Sequence, residues 1–101
     1  MRLRIKVSKR ASEQTRSAAV WWLQHRDKAP DALAEEIERA FDLIQVLPHS
    51  GQRIRHPTIP HLRRLHLARI HYYLYYQLIE DEDFVEVLAL WHVRRGKPPT
   101  L

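Results

Sequence analysis

The stretch that decides this chain is Val85-Glu86-Val87-Leu88-Ala89-Leu90-Trp91-His92-Val93-Arg94-Arg95-Gly96-Lys97-Pro98. From Val85 to Trp91 every residue but Glu86 is apolar, the pattern of a central strand covered on both faces. The run then changes character at once, to His92, Arg94, Arg95 and Lys97. Charge and imidazole at the open end of a buried strand are well placed to meet a partner. The bland alternative is a charged tail that does nothing.

Two further segments precede it, Leu62–Leu67 and Ile70–Glu80. The link Ala68-Arg69 suggests a hairpin with a two-residue turn, although it lacks an Asn-Gly type of signal. Such a turn sets Leu67 opposite Ile70, His66 opposite His71, Leu65 opposite Tyr72 and Arg64 opposite Tyr73. Arg64, His66, His71 and Tyr73 then share one face, and Leu65, Leu67, Ile70 and Tyr72 the other. Glu80-Asp81-Glu82-Asp83 reads as a solvated turn before the last strand. Its charges also oppose edge-to-edge association.

At the other end, Leu3, Ile5 and Val7 alternate with Arg2, Arg4 and Lys6, a strand with one apolar face. Ser8 comes next as a helix N-cap, its hydroxyl able to accept a bond from a free first-turn amide. A helix over about Lys9 to Arg26 carries a thin stripe of Ala11, Thr15, Ala18, Ala19 and Trp22. Trp21 and Trp22 cannot both face inward, so one belongs at the margin. Asp27-Lys28-Ala29-Pro30 breaks the pattern, and Pro30 suits the first turn of a second helix. That helix has the clearest period in the chain, Leu33, Ile37, Ala40, Phe41, Ile44 and Leu47, and is the expected main donor to the core. Each such large side chain contributes ~1.5–3 kcal/mol when buried. Pro48-His49-Ser50-Gly51 closes it, and an Arg-, His- and Pro-rich connection leads to His61. The order β-α-α-β-β-β makes the fold class α+β, a helical pair packed on one face of a small, mostly antiparallel sheet. The 101 residues are read as a single domain.

Composition narrows the classes. With 45% apolar and 29% charged residues the chain is ordinary for a globular protein. No apolar run approaches the ~18 residues a membrane span needs, and charges interrupt the N-terminal apolar residues, so neither a span nor a secretory signal is read. The absence of cysteine excludes disulfides, thiol catalysis and cysteine–zinc sites, and suits a cytoplasmic protein. His56, His61, His66 and His71 match no metal-ligand spacing and have no carboxylate among them, so no metal and no other cofactor is expected.

The net charge of +5 is unevenly spread. Residues 1–10 hold five Lys/Arg and no acid, residues 49–71 five arginines and no acid, and residues 91–101 three more cations. If these zones meet in space they form one positive surface suited to an acidic peptide or nucleic acid. Scattered solvation charge is the alternative.

Several pieces together resemble the ParE/RelE toxin family of bacterial toxin–antitoxin pairs. The closing strand of its ParE branch commonly ends in aliphatic-His-x-Arg-Arg, where this chain has Trp91, His92, Val93, Arg94 and Arg95. Val7-Ser8-Lys9-Arg10-Ala11 is similar to the family's opening. The segment from Phe41 to Gly51 is similar to its second helix end, with Ile44 in a leucine place and Pro48 and Gly51 matching. Leu62-Arg63-Arg64-Leu65 resembles the arginine-bearing second strand, and Tyr72-Tyr73-Leu74-Tyr75-Tyr76-Gln77-Leu78 the third. The nuclease branch often begins that strand Tyr-Arg-x-x-Tyr; here Tyr73 stands where the arginine would, and no tyrosine follows Arg95. Both departures point to the ParE branch.

The resemblance implies a toxin neutralised by a ParD-like or similar antitoxin, whose C-terminal segment wraps it and pairs acids with the basic patch. It also implies DNA gyrase as target. An RNA-cutting enzyme and an inert antitoxin-binding remnant are the alternatives, and the reading leans away from an enzyme. The expected target-binding residues are Trp91, His92, Arg94, Arg95 and Lys97. Arg63, Arg64, Tyr73 and Tyr75 form the expected antitoxin-binding or basic patch. Were the protein a nuclease, Arg64, His92, Arg94 and Arg95 would carry the chemistry; direct nucleic-acid binding is the less favoured reading. Residues from Arg94 onward read as a tip whose loss leaves folding largely intact.

Overall fold

A computed structural model describes residues 2–26 and 29–101. Strand β1 (Arg4–Val7) leads into helix α1 (Lys9–His25) and then helix α2 (Ala32–Val46). Strands β2 (Gln52–Arg53), β3 (Leu62–Leu67), β4 (Tyr72–Ile79) and β5 (Phe84–His92) complete the chain, with a 3₁₀ turn at Glu80–Glu82. They form one sheet in the order β1-β5-β4-β3-β2. β1 runs parallel to β5 and every other pair is antiparallel. The class is the expected α+β with both helices on one face; β2 is an addition, two residues being too short to show a period.

α1 starts where the sequence predicts. Ser8 Oγ accepts from the Ala11 amide at 3.0 Å and also lies 3.3 Å from the Leu88 carbonyl, joining the helix start to β5. Its small residues Ala11 and Ala18 are buried, which lets the helix lie close on the sheet. Trp22 is buried and its indole donates to the Ala29 carbonyl, whereas Trp21 is the exposed one of the pair. Pro30 does not sit in the first turn of α2: it precedes the N-cap Asp31, in the turn that delivers the chain to Ala32. Asp27 and Lys28, read as the helix break, lie outside the described residues.

α2 buries Leu33, Ala40 and Ile44 against the sheet, with Ile37 and Phe41 half-covered beside them. Leu47 is a correction. The helix ends at Val46, so Leu47 falls on the cap and remains 57% exposed. The strands match the helices in this cluster, through residues such as Leu74, Tyr76, Val85, Val87 and Leu90.

The hairpin register also differs from expectation. The turn spans residues 68–71, not two residues, so Leu67 pairs with Tyr72, His66 with Tyr73, Leu65 with Leu74 and Arg64 with Tyr75. His71 takes a left-handed conformation (φ 63°) inside the turn. A slip of two residues conserves the faces. Arg64, His66 and Tyr73 therefore still share one side, Leu65, Leu67 and Tyr72 the other, while Ile70 and His71 leave the strand.

One irregularity sets the orientation of the β5 tip. Tyr76 pairs with Val87 but Tyr75 with Ala89, leaving Leu88 as a bulge. Before it, Val85 and Val87 face the helices; after it, Leu90 does. A bulge re-aims the side chains beyond it. Here it turns Trp91 to the helix-free face, where it joins Leu62, Tyr73, Tyr75 and Ala89, and sends His92 to the helix side, edge-on to Tyr72.

Candidate functional site

The helix-free face at the β5 tip holds a concavity of about 300 Å³ lined by Arg64, Tyr73, Tyr75, Trp91, Arg95 and Lys97, among others. Tyr73 and Trp91 are cross-strand partners on β4 and β5. Each carries a guanidinium: Arg64 lies 4.1 Å above the Tyr73 ring and Arg95 4.2 Å above Trp91. Such stacking orders a flexible cation while leaving its in-plane donors open. Arg64 is further held by the Tyr75 hydroxyl at 3.2 Å and Gln52 Oε1 at 3.3 Å. The Trp91 indole donates to the Lys97 carbonyl at 2.9 Å, which folds the chain end back over this face.

Among the described residues, none of Arg64, Arg94, Arg95 and Lys97 pairs with a carboxylate, and no acid lines the concavity. The surface is thus an assembled set of cations lacking a counter-charge. His66, stacked obliquely on Tyr73 with centroids 5.2 Å apart, extends it.

Other expected members lie elsewhere. Arg63 points to the opposite side of β3 and donates to the Gly51 carbonyl at 2.8 Å and the His49 carbonyl at 3.2 Å. It holds the loop after α2 and is not part of the patch. His92 lies on the helix side, separated from Trp91 by the pleat. Its Nδ1 accepts from the Arg94 amide at 3.1 Å, so the ring closes the turn that carries the arginines. Its pKa lies below the ordinary 6.5, chiefly because burial disfavours the charged form, then because Arg94, His71, Arg95 and Arg26 repel it. His92 is therefore a neutral turn-former, and Arg94 is exposed beyond it.

The three basic zones converge only in part: Arg64 meets Arg95 and Lys97 on one face, and Arg10 meets Arg95 on the other. Arg2 pairs with Asp42 and Arg4 reaches the Glu82 carbonyl, both at the far end of the sheet, while Arg69 pairs with Glu35 and Glu36 of α2. From the first basic zone, Arg10 reaches the C-terminal segment, bonding the Thr100 carbonyl. That segment is no loose tip: Pro99 is buried and Leu101 packs against the cluster of Leu62, Tyr75 and Ala89, so removing it uncovers apolar surface.

The sequence pattern did not reveal an apolar groove of about 510 Å³ between the helices, lined by Trp22, Leu23, Leu33, Ile37 and Phe41 among others. Ile37 and Phe41 were visible as apolar positions, but periodicity cannot separate a core residue from one left half-open.

Kinship with known proteins bears directly on this geometry. A model of the ParE toxin of type II toxin–antitoxin systems, parDE, matches residues 5–96. The chain belongs to the ParE toxin family. Its fold is similar to the chromosomal ParDE system of P. aeruginosa, at 18% identity and a TM-score of 0.71, covering 91% of this chain and 97% of that one. It is also similar to a free-state mutant of E. coli toxin RelE (17%, TM-score 0.62, 95% and 88% covered). A third likeness is to the archaeal RelE–RelB complex from Pyrococcus horikoshii (16%, 0.54, 95% and 100%). A search of curated proteins gives no match. The ParE family match takes in nearly the whole sheet and stops within the cationic turn, at Gly96. No described helix is long and apolar enough to cross a membrane.

Proposed function

We propose that this chain is a cytoplasmic ParE-type toxin, held inactive by a ParD-like antitoxin and acting on DNA gyrase when released. The observation that carries the reading is the pair of arginines stacked on Tyr73 and Trp91 without a counter-ion. An ordered cationic face fits an acidic protein segment, because the side-chain entropy of its arginines is already partly lost before binding. The open groove between α1 and α2 offers a second, apolar anchor for the same antitoxin. Membership of the ParE family and likeness to a ParDE structure support the assignment.

A nuclease reading draws on one observation, the placing of His66 beside Tyr73 and Arg64. General acid–base cleavage needs a second proton-handling group in reach. Among the described residues no carboxylate lines this concavity, and His92, at its border, has its ring edge-on to Tyr72 and its Nδ1 committed to the Arg94 amide. The binding reading accounts for more of the site.

Expression of the protein alone should arrest growth, and co-expression of a small open reading frame beside its gene should relieve the arrest. Unimpaired growth would favour an inert antitoxin-binding module. Ribosome-dependent mRNA cuts would favour the nuclease.

A further inference from the structure

On the helix side of the same tip lies a second cavity, of about 510 Å³, between the start of α1 and the ends of β4 and β5. The toxin reading draws on its border residue Arg95 but not on the cavity itself. Its floor is apolar, from Ala18 and Leu90; Tyr72 and Trp21, whose ring already stacks with His25 at 4.4 Å, supply aromatic walls; Arg10, Gln14, Ser17, His92 and Arg95 supply polar groups.

The hydrogen bonds already made within the protein determine which polar atoms are left over. His92 Nδ1 is spent accepting from the Arg94 amide, which leaves Nε2 as the protonated, donating nitrogen. Gln14 Oε1 is spent accepting from the Leu90 amide at 2.9 Å, which leaves its NH₂ group to donate. Arg10 donates through Nη1 to the Thr100 carbonyl and retains further donors on its guanidinium. Arg95 adds a second guanidinium, and Ser17 a hydroxyl. The unspent groups are therefore overwhelmingly donors, and two of them are cationic. Among the described residues one acid lines the cavity, Glu13, and it is solvent-exposed.

We propose that this cavity is a binding site for a small anionic molecule with a planar body, its phosphate or carboxylate held by Arg10, Arg95 and His92 Nε2–H and its ring lying against Trp21. The volume is within the range of small-molecule sites, roughly 300–1,000 Å³, and the mix of apolar floor and a few convergent polar groups is the usual one. The local potential supports it. Three arginines, Arg94, Arg95 and Arg26, lie near enough to act on His92. An anion there is attracted by the field of the whole corner as well as by its direct bonds. The site shares Arg95 with the toxin face but otherwise lies across the sheet from Arg64 and Tyr73, and Arg10, Gln14 and Trp21 belong to it alone.

The test is a titration of the purified protein followed by heteronuclear NMR, with adenosine monophosphate, adenosine and inorganic phosphate as separate probes. The monophosphate should bind saturably with a Kd of about 1 mM or tighter, shift the signals of Arg10, Trp21 and His92, and raise the His92 pKa. Adenosine and phosphate alone should each bind at least roughly tenfold more weakly, having lost one half of the recognition. Arg10→Gln should weaken monophosphate binding by about tenfold, while Arg53→Gln, on the remote edge strand, should not change it. Arg10 is exposed, so an unchanged melting curve identifies the loss as one of binding; Trp21→Ala gives a second probe of the same cavity. No saturable shift up to about 10 mM, equal binding of adenosine or phosphate alone, or shifts mapping outside this cavity would each overturn the proposal.

Discussion

Tyr73 and Trp91 stand opposite one another on β4 and β5, and each bears an arginine that comes from another part of the chain, Arg64 from β3 and Arg95 from the turn after β5. The pairing exists because of the bulge at Leu88. Without it Trp91 would keep the phase of Val85 and Val87 and face the helices.

Trp91 ties the turn to the sheet twice, by stacking under Arg95 and by its bond to the Lys97 carbonyl. Trp91→Ala should therefore weaken antitoxin binding more than it weakens the fold. We expect roughly 2 kcal/mol of lost stability, below the ~3–5 kcal/mol of a fully buried tryptophan because Trp91 is half-exposed. Trp91→Phe should restore most of the stability but not the bond. Urea melts and calorimetric titration with the antitoxin measure the two effects.

Tyr76 is fully buried, accepting from the Gly51 amide at 2.9 Å and donating to the Pro48 carbonyl at 2.8 Å. Tyr76→Phe removes only an oxygen but strands both groups, at a cost of about 1–3 kcal/mol for each one left buried. Gly51→Ala should be as harmful from the other side, since a Cβ there would lie 2.6 Å from the Tyr76 hydroxyl and 2.9 Å from the Arg64 carbonyl. Chemical denaturation should show both variants destabilised, with unchanged far-UV circular dichroism.

Leu90 lies beyond the end of β1, and the Gln14 side chain takes the place of the missing strand by accepting its amide. Gln14→Leu leaves that amide unpaired and should cost about 1–3 kcal/mol. Gln14→Glu should cost less, because a carboxylate oxygen still accepts. Amide hydrogen exchange at Leu90 should rise in the leucine variant and remain slow in the glutamate one.

Protonation of His92 must break its bond from the Arg94 amide and add charge among Arg94, Arg95, Arg26 and His71. Its folded pKa lies below the ordinary 6.5, so the unfolded state takes up the proton first. Stability is then full above pH 6.5 and falls as pH drops through the folded pKa. His92→Asn, whose side-chain oxygen accepts the same amide without titrating, should flatten this part of the profile. Thermal melts across the acidic range would show it.

Much of this was legible in the chain itself. The alternation of Leu3, Ile5 and Val7, the Ser8 cap and the unbroken apolar run of β5 each encode a local preference that the tertiary structure leaves intact. What escaped was set by distant contacts. The bulge at Leu88 belongs to the pairing of β5 with β4, and nothing in residues 85–92 announces it; hence Trp91 and His92 read as one cluster when their side chains leave the strand on opposite sides. Arg63 and Arg64 look equivalent in sequence, yet the pleat gives one to a structural loop and the other to the site. Arg10 and Gln14 became functional candidates only once their neighbours were known.

The central claim is that the Arg64–Tyr73 and Trp91–Arg95 face disables a type II topoisomerase target, and a supercoiling assay with purified gyrase tests it most directly. The wild-type protein should inhibit supercoiling, the folded Arg64→Gln/Arg95→Gln double variant should not, and antitoxin should restore the wild-type reaction. Undiminished supercoiling in the presence of excess wild-type toxin, or inhibition that survives loss of both arginines, would contradict the account.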